Sequence, residues 1–137
     1  MRPSGANWGG VPSASPYLAS ARLEVEKTAT NAGWTELLAV PSFTPPVAAA
    51  TVHFSCSFGG NATGAFQLLL DGVKVGQCGS SAWSGRAGVA ISQRITVVPG
   101  APCVVSVEWK VAQLNTLSCI CGNPDYILDH ASIVVTL

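Results

Sequence analysis

Thr51-Val52-His53-Phe54-Ser55-Cys56-Ser57-Phe58 decides the fold class. Val52, Phe54, Cys56 and Phe58 alternate strictly with Thr51, His53, Ser55 and Ser57. A period of two puts one set on a buried face and the other in water, as in a strand on the skin of a sheet. Reading outward from it, Gly59-Gly60-Asn61 is a turn, and Phe66, Leu68 and Leu70 resume the alternation up to Asp71-Gly72. Asp-Gly between two apolar runs predicts a tight hairpin, because such a turn needs positive φ. Val73 and Val75 begin the return strand, and the Gly- and Ser-rich segment from Gly76 to Gly88 reads as a loop holding Trp83. A long strand is expected over Val89 to Val98, closed by Pro99-Gly100.

The same period recurs at both ends of the chain. Cys103, Val105, Val107, Trp109 and Val111 form the clearest amphipathic strand, with Phe54, Leu68, Val107 and Trp109 as expected core residues. Leu117 to Cys121 is a short run, broken by Gly122-Asn123-Pro124-Asp125, and Ile133, Val135 and Leu137 mark a last strand tied between neighbours. Nearer the start, Ala21, Leu23 and Val25 alternate with Arg22, Glu24 and Glu26, and Trp34 to Val40 is another short apolar run before Pro41, Pro45 and Pro46. Eight or nine strands without a helix indicate an all-β sandwich or barrel. The division expected is an extended N-terminal arm over residues 1–20, punctuated by Pro and Gly, and one β domain over 21–137.

Charge narrows the function. Only 10% of the 137 residues are charged, against about 25% in an average domain. A surface so poor in charge is expected to be covered by other protein. Seven cations balance seven anions, which leaves no excess for phosphates and disfavours a nucleic-acid partner. No stretch reaches the roughly 20 apolar residues that span a bilayer, so no membrane partner is expected. Residues 1–16 lack the apolar centre of a signal peptide, which points to a cytoplasmic protein with reduced thiols.

The candidate chemical groups are sparse. Cys119-Ile120-Cys121 and the His53/Cys56 pair bring soft ligands close, but zinc sites usually space cysteines two to four residues apart. Packing is the plainer reading of these residues, and no cofactor is expected. Asp125, Asp129 and His130 are an acid–base candidate whose plain reading is a polar loop leading into a strand. There is no Gly-x-Ser-x-Gly elbow, and the glycine-rich Gly59–Gly64 turn lacks the lysine and helix of a phosphate loop. The Asn61-Ala62-Thr63 sequon would matter only on export. The expectation is a protein that is not an enzyme. Four aromatics stand apart from the core pattern as partner-contact candidates: Trp8, Tyr17, Trp34 and Trp83.

From Glu24 onward the order of features resembles the jelly-roll capsid decoration (cement) proteins of tailed bacteriophages. The residues that carry it are Trp34-Thr35-Glu36-Leu37, the Val52–Phe58 strand, Phe66 to Gly72, Ile95 to Gly100, Val105 to Trp109 and Ile133 to Leu137. The resemblance implies a jelly-roll-like β-sandwich of about eight strands with an extended N-terminal arm. It implies a virion structural protein on the capsid surface, assembled in the host cytoplasm. The implied partners are the major capsid protein and other copies of the chain in a dimer or trimer, held across subunit boundaries. The rival expectation is a phage tail-fibre or receptor-binding head that recognises host glycans through loops bearing Trp34 and Trp83. A host carbohydrate-binding module is a third.

Overall fold

A computed structural model of the chain describes residues 16–29, 33–60, 62–82, 86–112, 119–121 (backbone only) and 130–137. Within these, ten strands alternate with turns: β1 Tyr17–Arg22, β2 Lys27–Ala29, β3 Thr35–Ala39, β4 Ala49–Gly59, β5 Thr63–Leu70, β6 Val73–Ser81, β7 Arg86–Thr96, β8 Val105–Val111, β9 Cys119–Cys121 and β10 Ala131–Thr136. They form two sheets. The larger has β1, β10, β4 and β7 side by side, with β9 and β2 continuing from the far end of β4; the smaller runs β3-β8-β5-β6. All the pairings are antiparallel.

The period-two reading of the opening stretch holds along β4. Val52, Phe54, Cys56 and Phe58 are buried, while His53 is exposed. The two inner faces meet in a row of rings. Phe54 and Phe58 of the larger sheet lie 5.7 and 5.3 Å from Phe66 of the smaller, whose ring is 6.0 Å from Trp109. Such tilted and edge-on contacts suit the ring quadrupoles and add to the burial of apolar area. Leu68 and Val107 close the core beside them.

The Asp71-Gly72 hairpin is present, with φ of 49° at Asp71 and 82° at Gly72. The Asp71 carboxylate accepts a hydrogen bond of 2.8 Å from the backbone N–H of Val104, tying the β5–β6 turn to the start of β8. The last strand, β10, lies between β1 and β4, which pairs its backbone on both sides.

Several expectations need correction. Among the described residues ten strands stand against the eight or nine expected: β9 falls within the short run read over Leu117 to Cys121, while β2 is a three-residue piece without a readable alternation. Residues 17–20, assigned from sequence to the arm, lie in β1 and pair with β10. Val25 is 64% exposed and follows the end of that strand. The segment read as a Gly76–Gly88 loop is mostly strand: β6 runs to Ser81 and β7 starts at Arg86. Gly76 and Gly79 reflect crowding rather than a turn. A Cβ on Gly76 would sit 3.3 Å from Ile91 Cδ1 and from Gln93 Oε1 of β7, where the two sheets close on each other.

Candidate functional site

The outer face of the smaller sheet carries the two carboxylates that lie within the described strands, Glu36 and Glu108. Register places Glu36 of β3 opposite Glu108 of β8, Glu108 opposite Gln67 of β5, and Gln67 opposite Gln77 of β6. These four side chains form one row across all four strands. Gln67 Nε2 donates to Glu108 Oε1 at 2.6 Å, and Lys74 Nζ donates to Gln77 Oε1. One step along the strands, Lys110 Nζ lies 4.9 Å from the centre of the Trp34 ring, a cation–π contact that orients the half-buried indole. Ala65 and Gly79 continue that second row, and their small size leaves the surface beside Lys110 low.

Glu36 and Glu108 are like charges in direct cross-strand register, an arrangement that weakens a sheet. The amide of Gln67 relieves Glu108. Lys27 Nζ is anchored to the carbonyl oxygens of Leu37 at 3.0 Å and Glu36 at 3.5 Å, so its charge sits beside the Glu36 backbone. A row that breaks a stability rule on an exposed face is where ligand recognition is to be sought.

The aromatics singled out from sequence do not converge. Trp34 lies on the smaller sheet's outer side. Tyr17 is 53% exposed, and its hydroxyl is 2.8 Å from Ser20 Oγ on the opposite sheet, so the two cannot share a ligand. Trp8 and Trp83 lie outside the described residues, as do Asp125, Asp129, Asn61 and the side chains of Cys119 and Cys121. The His53/Cys56 pair cannot share an ion, because His53 faces solvent and Cys56 faces the core. His130 Nε2 is 3.3 Å from Ser55 Oγ. Among the described residues, no group of three His, Cys, Asp or Glu is placed to hold a metal, and no helix is long and apolar enough to cross a membrane.

Sequence reasoning missed Glu36, Gln67, Gln77, Glu108 and Lys110 as a set. They are spread over four strands, and only the registers bring them together. A described cleft at the β5–β6 turn, lined by Asp71, Thr96, Val98 and Cys103 among others, has a volume of about 110 Å³. That is well below the roughly 300 Å³ at which ligand pockets begin, so a flat face is the better candidate.

No family model matches the chain, and no curated protein matches it in sequence. Among solved structures it is similar to the C-terminal domain of EclA, described as a sugar-binding protein, at 14% identity and a TM-score of 0.43, over 87% of this chain and 83% of that one. It is also similar to a family 35 carbohydrate binding module from Clostridium thermocellum, at 16% identity and a TM-score of 0.40, over 88% of this chain and 98% of that one. These neighbours are sugar-binding proteins, not capsid proteins, and they correct the resemblance to phage decoration proteins. Corrected with it are the major capsid protein and further copies of the chain as partners, the cement function and the place on a virion surface. The physical reason is that the residues carrying the resemblance are strand and turn residues. They specify a β-sandwich and say little about what its outer faces touch.

Proposed function

We propose that the protein is a non-catalytic glycan-recognition domain that holds a neutral oligosaccharide on the outer face of the smaller sheet. The observation that carries this reading is the row Glu36, Glu108, Gln67 and Gln77 beside the Trp34–Lys110 pair. Sugars present hydroxyl groups around a ring with apolar C–H faces. Carboxylates accept hydrogen bonds from hydroxyls, amides both donate and accept, and an indole offers an apolar plane with a polar edge. Two carboxylates, Glu36 and Glu108, and two ammonium groups, Lys74 and Lys110, leave the face without net charge, which suits an uncharged ligand. The reading rests on these side chains.

The scaffold fits a jelly roll. With the short β2 and β9 set aside, the eight remaining strands renumber in chain order, and the sheets then run 1-8-3-6 and 2-7-4-5. The two outer faces of such a sandwich are independent platforms, since each strand alternates between core and solvent.

The test is binding to a panel of neutral polysaccharides by affinity electrophoresis. Retardation by at least one is expected. Trp34→Ala and Glu36→Gln should each weaken it about tenfold or more, in line with loss of a central contact, while the thermal midpoint stays within a few degrees. A folded protein that no neutral polysaccharide retards, or retardation indifferent to Trp34→Ala, would overturn the reading.

A further inference from the structure

The zero net charge conceals a one-sided distribution. The six strands of the larger sheet contain Arg22, Lys27, Arg86 and Arg94 and not one Asp or Glu. Lys27 is spent on the carbonyls of the neighbouring sheet. The three arginines occupy outward positions: Arg22 is in register with Ser132, Arg94 with Thr51 and Arg86 with Gly59. Arg94 donates to Thr51 Oγ1 at 2.9 Å, and the Arg86 guanidinium lies over Gly59, where a Cβ would collide with it. Glu24, two residues beyond Arg22, is the nearest carboxylate in sequence and is exposed in the turn after β1.

Between the arginines the face is built of hydroxyl and imidazole groups already held in place. His53 Nδ1 is 3.0 Å from Ser92 Oγ, and its Nε2 is 3.2 Å from Thr136 Oγ1. Ser55 Oγ is 3.2 Å from Ser132 Oγ and 3.3 Å from His130 Nε2. These bonds cross β7, β4 and β10 and fix the rotamers, so little side-chain freedom remains to be lost on binding.

We propose that this face binds a polyanionic polysaccharide, one whose sugars carry carboxylate or sulfate groups. The spacing selects a polymer over a small anion. Arg86 and Arg94 are eight residues apart on one strand, about 26 Å, and Arg22 is about 20 Å diagonally from Arg94, counting roughly 3.3 Å per residue and 4.8 Å per strand. A phosphate-sized ion reaches one arginine at a time, whereas an extended chain reaches all three and gains from linked contacts. The hydroxyl and imidazole rows between the charges match sugar hydroxyls. Single-stranded nucleic acid is the poorer occupant, because it needs a series of stacking rings and this face offers Tyr17. The inference does not rest on the Trp34 face, which lies on the other side of the sandwich.

The experiment uses the full chain with four probes, namely dextran sulfate, polygalacturonate, neutral dextran and an oligothymidylate of matched charge, each titrated at low and moderate salt. Binding of one or both acidic polysaccharides, weakened at least tenfold by Arg22→Gln with Arg94→Gln and weakened by salt, is the expected result. Dextran sulfate and polygalacturonate separate sulfate from carboxylate recognition. Trp34→Ala should leave acidic-polymer binding unchanged, which separates this face from the neutral-glycan one. Absence of binding to both acidic polymers, equal binding by the folded double variant, or tighter binding of the oligothymidylate would each overturn the proposal.

Discussion

Trp109 shows how far a single residue can be read. It stands on the inward phase of β8, is 1% exposed, and meets the Phe66 ring that joins the two sheets. Trp109→Ala removes the largest side chain among those fully buried and leaves a cavity that the flanking strands cannot close. The expected loss is about 3–5 kcal/mol by denaturant titration, a large share of a small domain's stability. Phe54, Leu68 and Val107 were legible for the same reason: period-two alternation fixes the buried phase before any partner is known. Outward residues were not legible in this way. Glu108 and Lys110 flank Trp109 in sequence and look like ordinary wet-face residues. Their meaning comes from Gln67 and Trp34, residues 41 and 76 positions away in the chain, that register and packing set beside them.

At the scale of elements, turns were legible and crowding was not. Asp71-Gly72 announces its hairpin because both positions take φ values that other residues adopt at a cost. Asp71 does a second job through its bond to the Val104 N–H. Asp71→Ala loses both the tolerance for positive φ and the acceptor, and should cost about 1–2 kcal/mol. Asp71→Asn keeps both and should cost about a quarter of that or less, as measured by thermal or denaturant unfolding. A similar loss in both variants would mean that the charge, not the turn geometry, is what matters. β6 escaped the sequence reading because Gly76, Gly79, Ser80 and Ser81 have the composition of a loop. Composition reports small size, and small size serves tight approach as well as turning. The seam where β6 nears Ile91 and Gln93 demands it.

For the whole molecule, the sequence specified a β-sandwich, while the chemistry of its two outer faces emerged only from strand order. The interior also carries a pH dependence. Burial pushes the thiol of Cys78 above its ordinary value of 9.0. Burial and, secondarily, the charge of Asp71 push Cys103 the same way. The folded chain therefore holds these two protons more tightly than the unfolded chain does. Below the unfolded thiol value both states are protonated and the contribution to stability is fully present. As pH rises past it, the unfolded chain gives up its protons first, and the contribution is lost on the way to the raised folded values. Unfolding midpoints measured from about pH 8 to about pH 10.5 should fall, and replacing both residues by alanine should flatten part of that fall. Asp71→Asn should act in the same direction through Cys103 alone, since it removes the neighbouring charge and leaves burial in place. Mapping alkylation by mass spectrometry gives an independent reading: in native protein near pH 8 both thiols should react slowly, and in denaturant quickly, because the thiolate is the reactive form. A double alanine variant with the same alkaline decline as the parent would show that the decline does not come from these two thiols.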